Sequence, residues 1–213
     1  MDSPVYRVLL DEQWSLEDLA NFSRIYSQCY AFLYCLDTNS VDTASTLIES
    51  ALHNLELRGG LSYVNVYDIF KSHVAKEHRP QVKSIQYASP GWIDLALNLE
   101  VATQFAKGMT EFLGYLAASA EIYKRLYKIY ADLRIARRDL QSTTLKLNAE
   151  DATTAKKLNE ELAKGLGFES LADLDKHTKD VEESSKLLMA QYRRMQKMAK
   201  FVNSGKASFP LND

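Results

Sequence analysis

A mainly helical α+β fold is predicted for this chain of 213 residues. Three observations predict it. Glycine (8) and proline (4) are scarce, and scarcity of both chain breakers favours long uninterrupted helices. Apolar side chains recur at seven-residue spacing along two stretches of the C-terminal two thirds. Only two short segments, both within the first 90 residues, have the pattern of strands. The expected architecture is a small two-stranded, helical N-terminal head over residues 1–90. Long amphipathic helices over 91–204 form a coiled-coil-like hairpin, and 205–213 is a tail. With 46% hydrophobic and 25% charged residues, the chain has the means to bury a core.

The first element is Val5-Tyr-Arg-Val-Leu-Leu10, short, β-branched and apolar, which reads as a strand. Ser15, with Asp18 in the following turn, marks a helix start. Leu16, Leu19, Phe22, Ile25, Tyr26, Cys29, Leu33 and Leu36 then follow at helical spacing. A second helix is expected from Asp42 to Leu55, ended by Gly59-Gly60, and a third through Tyr63, Val66, Tyr67, Phe70 and Val74. Arg79-Pro80 stops the third, because a residue before proline avoids the α region. Val82 to Tyr87 alternates and reads as the second strand. Two strands are not stable alone, so they pair with each other or with another copy under a cover of helices.

Ser89-Pro90-Gly91 is read as a helix start, with Ser89 as cap and Pro90 at the first helical position. From there one helix is expected to run to Leu147, roughly 80 Å at 1.5 Å per residue, with bends or a break at Gly108 and Gly114. Phe105, Phe112, Ser119, Leu126, Leu133, Leu140 and Leu147 share one heptad register, with Met109, Leu116, Tyr123 and Tyr130 on its companion. Asn148 caps a short segment over 149–164. Ser170 and Asp173 open the last helix, whose seam is Leu174, Val181, Leu188, Met195 and Val202, with Leu171 and Tyr192 beside it. Folding back antiparallel would bring Lys186 to the level of Tyr130 and Arg193 to that of Tyr123.

The net charge of -2 hides a gradient. Residues 1–60 carry three basic and nine acidic side chains, whereas residues 121–147 carry seven basic and three acidic. From Lys186 to Lys206 there are six basic residues and no acidic one. On helical wheels Lys186, Arg193, Lys197 and Lys200 form a stripe opposite the last seam, with Arg194 adjoining. Lys124, Lys128, Arg134 and Arg138 avoid the first seam. These nine residues are the candidate contacts for an anionic partner, and the plain alternative is a solvated helix face.

Catalytic and metal-binding patterns are lacking. His73 and His78 are five apart, so they do not share a helix face as zinc pairs do, and His53 and His177 stand alone. Cys29 and Cys35, six apart in one helix, read as buried free thiols. Adjacent acids such as Glu160-Glu161 and Glu182-Glu183 diverge on a helix. Gly59-Gly60 and Gly165/Gly167 lack the lysine and spacing of a phosphate loop. The Ser89-Pro90-Gly91 junction, with Arg79 and Ser84 nearby, reads as a helix cap before it reads as an anion site. No cofactor, metal or catalytic residue is therefore expected. The start, Met1-Asp-Ser-Pro-Val, has neither the basic nor the apolar region of a secretory signal, and a reducing cytoplasm suits two free cysteines. The most apolar stretch, Trp92 to Tyr123, is interrupted by five charges and falls short of the ~20 uncharged residues of a spanning helix.

The segment Ser84-Ile-Gln-Tyr-Ala-Ser-Pro-Gly-Trp-Ile-Asp-Leu95 resembles a recurring element of uncharacterised bacterial proteins, a strand followed by Ser-Pro and a long helix. The opening Tyr6-Arg-Val-Leu-Leu, with Trp14-Ser-Leu-Glu-Asp-Leu19, is similar to the start of some of them. The resemblance covers about residues 1–100 and implies a bacterial origin and no activity. The functional expectation is a non-enzymatic interaction or structural subunit that oligomerises or docks a larger protein through its long helices. The alternative is a nucleic-acid-binding or accessory subunit of a bacterial defence or toxin system that uses the basic stripes.

Overall fold

The computed structural model describes residues 4–36, 66–142, 144–168, 171–176, 178 and 180–211. The expected helix from Asp42 to Leu55, the stop at Gly59-Gly60, and the Ser170 start lie outside the described residues. Strand β1 (Val5–Leu10) leads to helix α1 (Leu16–Leu36), and α2 (Val66–His73) with a 3-10 turn at Lys76–His78 leads to β2 (Gln81–Gln86). Then come β3 (Gly91–Ala96), α3 (Leu99–Gly114), α4 (Leu116–Asp139) and α5 (Ala149–Gly165). The chain continues through the short α6 (Ala172–Lys176), α7 (Val181–Asn203) and β4 (Ala207–Ser208). None of the described helices is long and apolar enough to cross a membrane.

Four strands form one antiparallel sheet in the order β2-β3-β1-β4. Alternation sets its two faces. Tyr6, Val8 and Leu10 of β1, with Ile93 and Leu95 of β3, turn into the core. Arg7 and Asp94 meet on the outer face as a bidentate pair at 2.7 and 2.8 Å, with the Arg7 guanidinium 4.7 Å from the Trp92 ring centroid.

This sheet corrects the reading of residues 89–96. Ser89–Pro90 is a cis peptide in the turn between β2 and β3, and Gly91–Ala96 is a strand, not the first turns of a helix. The proline signal for a helix start is local. It loses to a non-local partner, since the alternation of β3 matches that of β1 residue for residue from Gly91↔Leu10 to Ala96↔Val5. Ser89 Oγ donates instead to the Asp11 carboxylate. A Cβ on Gly91 would overlap the Gln86 carbonyl, so the turn requires glycine. The helix begins eight residues later, where the Asn98 side chain accepts from the Val101 N–H at 3.2 Å. Asn98→Ala is expected to lower stability by about 1 kcal/mol through the lost cap, whereas Ser89→Ala leaves that cap untouched. Thermal melts of the two variants check this.

The boundary expected at residue 90 thus falls in the turn of a β-hairpin, and both β3 and β4 join β1 and β2 in one sheet. The tail, expected as loop, supplies β4, and Tyr6 Oη donates to the Pro210 carbonyl at 2.9 Å. Phe209 seats among Phe22, Tyr26 and Phe105, with ring centroids 5.0 to 6.2 Å apart.

The long helix divides at Gly114-Tyr115, where the Tyr115 N–H bonds both Glu111 and Phe112 carbonyls, and it ends at Asp139 rather than Leu147. The first seam is buried at Phe105, Phe112, Ser119, Leu126 and Leu133, but Leu140, past the helix end, is 67% exposed. The last long helix, α7, starts at Val181, with the Asp180 carboxylate accepting from the Glu182 and Glu183 N–H groups at 3.0 and 3.1 Å. Helices α4 and α7 run antiparallel, as Tyr130 Oη meets Ser185 Oγ at 2.7 Å and the Tyr123 and Tyr192 rings stack at 4.6 Å. Yet α7 is no arm of a two-helix stalk. It touches α1, α3, α4, α5 and α6, and every residue from Ser184 to Tyr192 is buried. Leu188, Met195 and Tyr192 lie in one core with Tyr6, Phe22, Phe70 and Phe105, which draws on all four strands' neighbours.

Candidate functional site

The enclosure of α7 sorts the nine candidate cations. Lys186 is only 6% exposed, and its ammonium lies 2.6 Å from the Glu182 carboxylate, which also takes both Arg137 Nη groups at 2.9 and 2.8 Å. A position opposite a seam is solvated only when the helix has a free face, and over Ser184 to Tyr192 α7 has none. Arg193 donates to Tyr123 Oη at 3.3 Å. Arg194 donates to Gln28 Oε1 at 2.6 Å and lies 4.5 Å from the Tyr67 ring centroid. These three side chains tie α7 to its neighbours.

Lys197 and Lys200, one and two turns further on, emerge into solvent. They line a cleft of about 520 Å³ between the first half of α1 and the end of α7, together with Asp18, Asn21, Arg24, Ile25, Phe201, Ser204 and Lys206. Lys206 is held by Asp18 at 2.7 Å. That carboxylate also accepts from the Ser15 N–H and hydroxyl, and the three contacts, Lys206 foremost, hold its pKa down at about 2. Arg24 Nη2 donates to the neutral Asn21 Oδ1 at 2.5 Å. Among the described residues no carboxylate pairs with Arg24, Lys197 or Lys200. The Lys197 ammonium gives up its proton more readily than an ordinary lysine. Partial burial is the main cause, followed by the fields of Arg194, Arg24, Lys200 and Arg193.

Lys124, Lys128, Arg134 and Arg138 are exposed on α4 and do not join this cleft. Lys124 lies 3.6 Å from Glu121 and Arg138 3.1 Å from Asp139. Lys128 lines a separate groove with Arg125, Asp132, Lys146 and Asp151, where acids interrupt the cations. The α4 cations therefore stand apart from Lys197 and Lys200. Instead the cleft recruits Arg24 and Lys206, which sequence reasoning missed. Arg24 is a lone cation on an otherwise apolar and acidic helix, and Lys206 sits in the tail, so neither stood out.

Burial pushes the Cys29 and Cys35 thiols up to about 12, which makes poor nucleophiles of both. His78 holds Tyr34 Oη at 2.9 Å through Nδ1, and its carbonyl accepts from Tyr30 Oη at 2.8 Å. His73 bonds the Ile69 carbonyl at 2.7 Å. Among the described residues no group of three or more His, Cys, Asp or Glu is placed to hold a metal ion. The chain matches no known protein-family model, curated protein or solved structure.

Proposed function

We propose that this is a non-enzymatic interaction protein that receives an anionic group of its partner in the cleft between α1 and α7. One contrast supports the reading. Lys186, Arg137 and Lys206 are each held by a carboxylate, whereas Arg24, Lys197 and Lys200 gather at one opening with no carboxylate partner among the described residues. Like charges collected in this way cost stability and raise the local concentration of anions. The heptad seams face inward on the same chain, so a partner meets the surface rather than the seams.

Retention on a heparin matrix tests the proposal. An Arg24→Gln/Lys197→Gln/Lys200→Gln variant is expected to elute at clearly lower salt than the wild type, with an unchanged melting temperature. A Lys124→Gln/Lys128→Gln/Arg134→Gln variant is expected to elute as the wild type does. Identical elution of the wild type and the cleft variant would sink the reading. The second reading, a nucleic-acid-binding accessory subunit of a bacterial defence or toxin system, draws on the exposed Lys128 and Arg134, which have no carboxylate partner among the described residues. It requires the α4 variant to lose retention as well, with a flatter salt dependence.

A further inference from the structure

We infer that the cleft takes a compact phosphate-bearing ligand of nucleotide size rather than a long polyanion, an inference that rests on the anion-binding reading above. The volume, about 520 Å³, lies within the range typical of small-molecule sites. Its cations differ in kind. The planar Arg24 guanidinium suits two oxygens of one phosphate, and Lys197 and Lys200 add point charges from the opposite wall. Asn21 and Ser204 offer neutral hydrogen-bonding groups. Ile25 and Phe201 supply the apolar part of the lining, beside the Asp18–Lys206 pair. Phe201 is held from behind by aromatic contacts, stacked on Trp14 at 5.5 Å and edge-on to Phe22 at 5.6 Å. A ligand with a phosphate and a flat, weakly polar ring satisfies both halves of that lining.

The cations are also confined, and confinement argues against a polymer. Nucleic-acid phosphates recur every few ångströms along a strand, so a polymer site is a track of cations. Here the track stops on both sides. Towards the start of α7, Arg193 and Arg194 are engaged by Tyr123, Gln28 and Tyr67, and Lys186 is sealed by Glu182. Towards the tail the next cation, Lys206, is already held by the Asp18 carboxylate at 2.7 Å.

The chain has two tryptophans, Trp14 and Trp92, and Trp14 stacks on the cleft wall. A Trp92→Phe background makes its fluorescence a local reporter. Calorimetry on the unaltered chain provides a second readout. The probes are adenosine monophosphate, pyrophosphate, adenosine, a 20-nucleotide oligothymidylate and polyglutamate. The expected result is saturable binding of adenosine monophosphate and pyrophosphate, with adenosine much weaker. Arg24→Gln, Lys197→Gln and Lys200→Gln should each weaken binding about tenfold, equivalent to roughly 1.4 kcal/mol. Adenosine binding as tightly as its monophosphate would overturn the phosphate assignment. If oligothymidylate or polyglutamate bound, and the triple variant abolished that binding, while the two small phosphates did not bind, the ligand class would fall and the cleft reading would stand. Binding of none of the probes, or binding unchanged in the triple variant, would remove both.

Discussion

Glu182→Ala is expected to lower folding stability by about 3–5 kcal/mol, because it removes the carboxylate that two largely buried cations share. The Glu182 side chain is 15% exposed, Arg137 16% and Lys186 7%, and one carboxylate serves both cations at 2.6 to 2.9 Å. Neither has water enough to replace it. Burial alone pushes the Glu182 carboxyl up, but the bonds from Arg137 and Lys186 outweigh it, and the group ends below the usual glutamate range. A folded-state pKa below the unfolded one gives stability that is present above the usual range and lost as pH falls through the folded value. The wild type should therefore lose stability in acid more steeply than Glu182→Ala. Urea titrations at neutral pH and at successive acidic values measure both effects. A loss under ~1 kcal/mol at neutral pH would show the cluster to be solvated.

Phe112→Ala is expected to cost a similar ~3–5 kcal/mol, by removing a fully buried ring and leaving a cavity. The ring meets Tyr192 edge-on at 5.8 Å, at the contact between α3 and α7. Leu140 lies on the same heptad register but is 67% exposed, so Leu140→Ala should stay within ~0.5 kcal/mol. Leu133 and Leu188, at 7% and 1% exposure, belong with Phe112, at about 2–5 kcal/mol for alanine. Denaturant midpoints of the four variants should separate Leu140 from the other three. Equal losses at Leu140 and Phe112 would contradict the helix end at Asp139.

What could be read from sequence follows the range of the interaction that decides each element. Strand β1, the bounds of α1 and the β2 alternation rest on neighbours a few residues away, and they were legible. The same holds for the seam as far as Leu133, whereas the pairing of Tyr123 with Arg193, 70 residues apart, followed from folding the two seams back antiparallel. Strand β3 was not legible, because its partner is β1, and Pro90 gave a competing local signal. Strand β4 has two residues, too few for any periodicity to register. At the candidate site, Lys197 and Lys200 stood out because their stripe reaches the surface. Lys186 lies on the same stripe but is buried against Glu182, four residues before it, which is the ordinary spacing of a helical ion pair. Arg24 and Lys206 reach the cleft only through tertiary packing of α1 and the tail against α7.

The place of β1 between β3 and β4 bears on how the molecule is made. Tyr6 and the Pro210 carbonyl it bonds are 204 residues apart. A ribosome delivers β1 almost two hundred residues before β4, so the edge of β1 that β4 covers stays open over the interval. Its backbone donors and acceptors are then available to any passing extended chain. Pairings this distant in sequence also slow the search for the native state. Nascent chains arrested before residue 207 should therefore recruit chaperones and aggregate more readily than chains released after Pro210.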